Sequence, residues 1–130
     1  MHIVFFYAAV LALLFVALSV RTILLRRRFR IAVGDADNEE MLRAIRAHSN
    51  FAEYVPLTLL LIYFVELGDA EDWLVHGLCI ALLAGRILHA IGISRVRENY
   101  RIRTAAMALT FTTIVAASLS LLSGALRGGL

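Results

Sequence analysis

Five polar residues recur along one stretch of the chain at the spacing of a helix face. They are Glu39, Arg43, Arg46, Asn50 and Glu53, at intervals of four, three, four and three residues. At about 100° per residue, this spacing puts all five on one stripe of an α-helix. Because an arginine can donate to both oxygens of a carboxylate at once, the two arginines of the stripe suit the recognition of a carboxylate.

A second set of residues, Arg86, His89 and Ile93, shares one face of a later helix by the same spacing. Both helices are apolar enough to span a membrane, so ionised groups on them must face protein or a wet cavity rather than lipid. Because the two helices run in opposite directions, Arg86 can reach the depth of Glu53. We predict a buried Glu53–Arg86 pair, which is either part of a ligand site or a contact that only joins helices.

The composition of the chain predicts that transmembrane helices position these residues. Hydrophobic residues make up 61% of the 130 residues and the mean hydropathy is +0.80, outside the range of soluble proteins. A spanning helix needs about 20 apolar residues. The sequence therefore predicts an all-α membrane protein, a single transmembrane domain over residues 1–130. Its four-helix bundle covers about residues 3–25, 38–67, 72–94 and 102–126. The first run has no basic segment before it, so we expect a retained helix rather than a signal peptide.

Charge predicts the orientation. All 13 basic residues are arginine, and most lie in two clusters: residues 26–30 follow the first span and residues 95–103 follow the third. The loop over residues 68–72 is acidic. Basic loops stay in the cytoplasm, so we predict cytoplasmic arginine-rich loops and both termini in the periplasm. Beside membrane spans, these arginines are explained by topology and lipid headgroups rather than by nucleic acid.

Two other residue types restrict the chemistry. Cys79 is the only cysteine, so no intrachain disulfide can form, and we expect it to be a small buried hydrophobic residue. No metal-ligand spacing is present, and no metal site is predicted. Pro56, three residues after Glu53, lacks the amide that would bond to the carbonyl of Ala52, so a bend or a free carbonyl is expected beside the stripe.

The segment from Arg46 to Pro56, RAHSNFAEYVP, resembles the second-helix signature of the MAPEG proteins, the membrane-associated proteins of eicosanoid and glutathione metabolism. The Asn-x-x-Glu-Tyr-x-Pro core is a fairly specific motif. RRRFR at residues 26–30 resembles the basic end of the family's first helix, and RILH at residues 86–89 resembles its third-helix motif. With its short loops, the chain is most similar to uncharacterised bacterial inner-membrane members.

The resemblance implies a homotrimer that binds glutathione between neighbouring subunits toward the cytoplasmic side. Members of the family conjugate glutathione to lipophilic electrophiles, reduce lipid hydroperoxides or isomerise lipids. Residues implied to bind glutathione are Arg46, His48, Asn50, Glu53, Tyr54 and His89 of one subunit, with Arg26 or Arg27 of its neighbour; Arg86 would brace Glu53.

An arginine at the start of the family's fourth helix supports the glutathione thiolate. Arg103, followed by Thr104, fits that position best, and Arg101 is the alternative because the preceding loop differs in length. Two departures affect the transfer of function. Ile93 stands where a tyrosine often contacts glutathione, and His89 occupies a position that varies between histidine and tyrosine.

Two other functions compete with a glutathione-dependent enzyme. A small multidrug-type transporter also has four short spans and one membrane-embedded glutamate, which would make Glu53 a proton carrier. Its first span would be expected to carry an acidic residue, which is missing here, and the predicted pocket holds more arginine than carboxylate. The second competitor is a non-catalytic relative that binds glutathione or lipid.

Overall fold

Four α-helices account for nearly all of the chain in the computed structural model, which describes residues 2–95, 97 and 99–128. They are α1 (Ile3–Phe29), α2 (Glu39–Leu67), α3 (Asp72–Ser94) and α4 (Tyr100–Leu126). Each is long and apolar enough to cross a membrane, and the described residues form no strand. The predicted all-α, four-helix membrane fold is confirmed.

The helix ends follow from local chemistry. α1 continues to Phe29, beyond the predicted end near residue 25, because the arginines that follow the apolar run are good helix formers. Asn38 caps α2 by accepting a hydrogen bond from the amide of Met41 at 2.9 Å. Asn99 caps α4 by accepting from the amide of Arg101 at 3.1 Å. Both caps satisfy amides that have no partner inside the first helical turn.

The two inner helices of the sequence are also central in space. α2 and α3 each pack against the other three helices, whereas α1 and α4 do not contact each other within the described ranges. Leu11, Ile62, Val75 and Leu82 are fully buried between the helices. Cys79 is buried with them, as predicted. Side chains from α2 and α3 therefore reach one another in the middle of the bundle.

Close contact between α3 and α4 depends on Gly85. A Cβ atom at this position would lie 3.1 Å from the carbonyl oxygen of Ala106 and 3.2 Å from the hydroxyl oxygen of Thr110. Small residues allow such an approach of membrane helices. Gly85 thus brings α4 next to its sequence neighbour Arg86.

α2 continues through Pro56 as one helix. Pro56 lies on the exposed side of α2, two residues before the buried Thr58, whose hydroxyl donates to the carbonyl oxygen of Tyr54 at 2.6 Å. The proline therefore leaves the helix unbroken beside the polar stripe.

A terminal-end cluster of four polar residues joins the helices at the end of the bundle opposite the two arginine clusters of the sequence. Its members are His2, Tyr7, Glu66 and His76. The Glu66 carboxylate accepts hydrogen bonds from the amides of Ile3 and Val4, which begin α1. It also lies 3.5 Å from the His2 ring. The hydroxyl of Tyr7 is 3.0 Å from Nδ1 of His76. These contacts fix α1 against α2 and α3.

Candidate functional site

The polar stripe of α2 lies on the outer surface of the single chain, beside the start of α4. Glu39, Arg46 and Glu53 are exposed, while Arg43 and Asn50 are partly buried. Lipid disfavours ionised groups by several kcal/mol at such positions. The stripe is therefore a surface that needs water, a ligand or another protein chain against it.

The cytoplasm-proximal half of the stripe, in the predicted orientation, borders a polar depression of about 190 Å³. Its lining residues include three arginines and one glutamate, and they come from α2, α3 and α4: Glu39, Leu42, Arg43, Arg46, Ile93 and Arg103. Arg43 pairs with Glu39 at 2.7 Å and donates to the carbonyl oxygen of Ile93 at 3.4 Å. The depression has an excess of positive charge, which favours an anion.

Deeper in the bundle, Arg86 connects α3 to α2 and α4. Its side chain is 2% exposed. One terminal nitrogen donates to Oδ1 of Asn50 at 2.6 Å, and the other donates to the Thr110 hydroxyl at 2.6 Å and contacts the Met107 sulfur at 3.5 Å. Its guanidinium carbon also lies 5.9 Å from the centre of the Tyr54 ring, within cation–π range.

The predicted Glu53–Arg86 pair is wrong. No ion pair joins these two residues in the described part of the chain, and Glu53 is exposed. The reason is the rotation of α2: Phe51 and Val55, which flank Glu53, are buried in the core and turn it outward. Asn50 takes the position opposite Arg86, so the buried cation is held by neutral oxygen acceptors.

An apolar groove of about 440 Å³ runs along α4 next to the depression. It is lined by Tyr100, Arg103, Thr104, Met107, Ala108 and Phe111. The Phe111 ring meets the Tyr54 ring edge to face at 5.5 Å. Arg103 lines both the groove and the depression, so a cation stands where the polar and the apolar surfaces join.

Comparison with protein-family models matches residues 4–123 to the MAPEG family. The chain belongs to the MAPEG family. It is 38% identical over 109 residues to the inner membrane protein YecN of Escherichia coli K12, covering 84% of this chain and 82% of that protein. The YecN protein of Escherichia coli O6:H1 strain CFT073 matches equally. Membership in MAPEG associates the chain with glutathione-related function at membranes, and these relatives agree with an integral inner membrane protein.

Most of the residues that the MAPEG resemblance implies for glutathione lie together. Arg46 and Arg103 line the depression, and Thr104 lines the adjoining groove. Asn50, Glu53 and Tyr54 follow on α2, and Asn50 contacts Arg86. These residues form one continuous surface across α2 and α4.

His48 faces elsewhere. Its ring stacks on Phe15 of α1 with centres 4.7 Å apart, and its Nε2 is 2.9 Å from the Ser19 hydroxyl. It lies two residues after Arg46, about 200° around the helix, so it points away from the stripe. Its contacts join α1 to α2, and its role as a glutathione ligand stays a prediction.

The MAPEG residues at the end of α1 form a separate basic surface. Arg26 donates to the carbonyl oxygen of Gly34 at 2.9 Å and so shapes the connection to α2. Arg27 is exposed, and both line an open pocket of about 340 Å³. Neither residue lines the depression of its own chain. If either one binds glutathione, it does so in a neighbouring subunit.

The two positions that depart from the MAPEG pattern are both buried in α3. His89 is 3% exposed and Ile93 is 5% exposed. The carbonyl oxygen of Ile93 holds Arg43, and its side chain contributes an apolar wall to the depression. A tyrosine hydroxyl at this wall would add one hydrogen-bond donor, which this chain lacks.

Sequence reasoning missed three residues whose side chains join the helices around the site. Thr110 and Met107 contact the Arg86 guanidinium from α4. The only sequence signal for Thr110 was a hydroxyl group inside an apolar span, and Met107 gave no signal. Arg21, inside the first predicted span, donates to the hydroxyl of Ser94 on α3. Its charge was visible in the sequence, and its hydrogen bond joins α1 to α3.

Proposed function

We propose that this protein is a glutathione-dependent membrane enzyme, a transferase or peroxidase that acts on lipophilic electrophiles or hydroperoxides. One observation carries the proposal: Arg103 stands where the arginine-rich depression meets the apolar groove of α4. A water-soluble thiol in the depression and a lipid-soluble partner in the groove would meet at this arginine.

Glutathione fits the charges of the site. It has two carboxylates and one ammonium group beside its thiol. Arg43 and Arg46 offer donors for carboxylates, and Glu39 or Glu53 offers an acceptor for the ammonium group. The excess of arginine over glutamate in the depression matches the excess of carboxylate in glutathione.

Arg103 would support the chemistry at sulfur. A guanidinium beside a thiol favours the thiolate, which is the nucleophile, and the Thr104 hydroxyl next to it can donate a second hydrogen bond. In conjugation, the sulfur forms a bond to carbon and the leaving group departs with its electron pair. In peroxide reduction, two glutathione molecules give a disulfide while the hydroperoxide becomes an alcohol and water. Holding both reactants at one depth supplies much of the acceleration.

A homotrimer is part of the proposal. The exposed ionised groups Arg46 and Glu53 on a membrane-length helix support an assembly in which neighbouring copies cover them. In that assembly Arg27, which is exposed at the end of α1, is better placed to reach a neighbour's glutathione than Arg26, which is bonded to Gly34. Light scattering of the detergent-solubilised protein tests the number of copies.

The site would face the cytoplasm. This orientation rests on the arginine-rich ends of α1 and α3, and it gives the depression access to cytoplasmic glutathione. A reporter inserted near Gly34 should be cytoplasmic, and one at the C-terminus or near Asp69 should be periplasmic. A cytoplasmic C-terminus would separate the site from that pool.

The enzyme proposal is tested with purified protein, glutathione and an aromatic chloride whose thioether product absorbs light. We expect glutathione to raise the melting temperature, because a ligand of the native state stabilises it, and product to form only with active protein. Binding without turnover of aromatic chlorides or of lipid hydroperoxides would favour a non-catalytic glutathione-binding protein. Absence of glutathione binding would refute the proposal and leave lipid binding or proton-coupled transport through Glu53 to be tested.

A further inference from the structure

We propose that Arg86 is a positioning residue that acts through Asn50. It holds the oxygen of the Asn50 carboxamide inward and thereby presents the amide nitrogen outward, as a donor to a carboxylate of the ligand. The inference rests on the proposed function, and it assigns the recognition of that carboxylate to a relay from Arg86 rather than to direct contact.

The orientation of Asn50 follows from donor and acceptor chemistry. A guanidinium has five N–H donors and no acceptor. The atom of Asn50 that lies 2.6 Å from Arg86 must therefore be its oxygen. The amide nitrogen then points away from Arg86 and donates no hydrogen bond to any described residue. Asn50 is partly exposed on the same helix face as Arg46 and Glu53, so this donor is open to a ligand.

Arg86 is itself held from the other side. The Thr110 hydroxyl is fully buried and donates to the carbonyl oxygen of Ala106 at 3.1 Å, which leaves its oxygen free to accept from Arg86 at 2.6 Å. The close approach at Gly85 places α4 within reach for this bond. With both terminal nitrogens bonded, the guanidinium has a defined plane, and so does the carboxamide that it holds.

The positive charge of Arg86 favours an anionic ligand beside Asn50. In the described part of the chain, no carboxylate lies within ion-pair distance of this buried cation. A buried unpaired charge is unfavourable, and hydrogen bonds in series polarise one another. A ligand carboxylate that accepts a hydrogen bond from the Asn50 amide would therefore stabilise the positive charge of Arg86 through that amide. Donation also selects the ligand, because an amide N–H binds an oxygen acceptor and rejects an ammonium group.

A double-mutant cycle tests the relay in the full-length, detergent-solubilised protein, with glutathione affinity measured by calorimetry. We expect Asn50→Ala and Arg86→Met each to weaken binding about 10-fold or more, the value of a hydrogen bond to a charged group. The double variant should bind within about twofold of Asn50→Ala, because Arg86 has no route to the ligand once Asn50 is gone. If the loss of affinity in the double variant equals the product of the two single losses, Arg86 contacts glutathione itself, and the inference is overturned.

Two further variants keep the test independent of the stability of Arg86→Met. Thr110→Val removes only the hydroxyl that fixes the guanidinium. It should weaken binding about threefold, and only when Asn50 is present. Asn50→Asp keeps an oxygen facing Arg86 and removes the N–H donors. We expect it to melt at or above the wild-type temperature and to bind glutathione at least about 10-fold more weakly.

The outcomes separate the two proposals. Wild-type protein that binds no glutathione would refute the proposed function, and the inference with it. Wild-type protein that binds, together with an Asn50→Asp variant of unchanged affinity, would refute only the inference, since a purely structural Asn50 tolerates that change. Weaker binding in Asn50→Asp without a loss of melting temperature is the result that the relay predicts.

Discussion

The two ends of the bundle use polar residues in different ways. In the terminal-end cluster, the Glu66 carboxylate accepts from the first amides of α1, and Tyr7 is bonded to His76. In the α2 stripe, Arg46 and Glu53 form no hydrogen bond or ion pair within the described ranges. One region satisfies its polar groups inside the chain, and the other leaves donors and acceptors at the surface.

This contrast separates structural from functional polarity in a membrane protein. A polar group between membrane helices is tolerated when the fold supplies its partner, as it does for Glu66. A polar group without a partner is retained when something outside the chain supplies one. Mutations in the cluster should therefore change stability, and mutations in the stripe should change binding and turnover.

The largest effect is expected at Arg103, where the arginine-rich depression meets the apolar groove. Arg103→Ala should lower turnover by about 10²- to 10³-fold, the usual loss when one donor to a developing anion is removed. Glutathione affinity should change little, because Arg43 and Arg46 remain. Calorimetry and the thiolate absorbance of bound glutathione measure the two effects separately. Arg101→Ala is the matched control. A loss of bound thiolate in Arg101→Ala but not in Arg103→Ala would assign the support of the thiolate to Arg101.

A second effect is expected at Glu53. Glu53→Gln should weaken glutathione binding about 10- to 100-fold, because a neutral amide replaces a charged acceptor for the ammonium group. The melting temperature without ligand should stay near that of the wild type, since glutamine has the same shape and Glu53 has no partner within the described residues of its own chain. A large loss of stability with unchanged affinity would place Glu53 with the structural residues.

The third prediction concerns the support of the stripe. Gly85→Ala should lower the free energy of unfolding by about 1–3 kcal/mol, because its methyl group would meet the backbone of α4. It should also weaken glutathione binding by moving Thr110 away from Arg86. Gly77 on the same helix has open space around it, so Gly77→Ala should raise stability by about 0.5–1 kcal/mol. Equal effects of the two changes in thermal unfolding would show that α3 and α4 do not need the close approach.

The fold could be predicted from the sequence because hydropathy and length determine it. Four apolar runs of spanning length leave few alternatives, and the helices overlap the predicted ranges. The end of α1 could not be predicted from hydropathy, because Arg26 to Phe29 stay helical outside the apolar run. In this segment the intrinsic helix propensity of each residue, rather than its burial, determines where α1 ends.

The site could be predicted less completely. Spacing alone placed Arg46, Asn50 and Glu53 on one face, and that face is continuous in the structure. Spacing could not determine whether Asn50 or Glu53 meets Arg86, because both lie within about 60° on the helix. The burial of Phe51 and Val55 decides that rotation, and it depends on the packing of three helices. The role of Thr110 could not be predicted for the same reason, since its partner Arg86 is on another helix.

The smallest expected effect tests the structural end of the comparison. Glu66→Gln keeps one oxygen, which can accept from the amide of Ile3. It replaces the second oxygen, the acceptor for the amide of Val4, with an NH2 group and removes the negative charge at the start of α1. A carboxylate at a helix N-terminus contributes about 0.3–1 kcal/mol, and up to about 2 kcal/mol when it is partly buried. Because Glu66 is largely covered, we expect a loss of about 1 kcal/mol in the free energy of unfolding, with unchanged glutathione affinity and turnover. Thermal unfolding and calorimetry on the same preparation measure both. Weaker glutathione binding in Glu66→Gln would show that the two ends are coupled, and the division between structural and functional polarity would then fail.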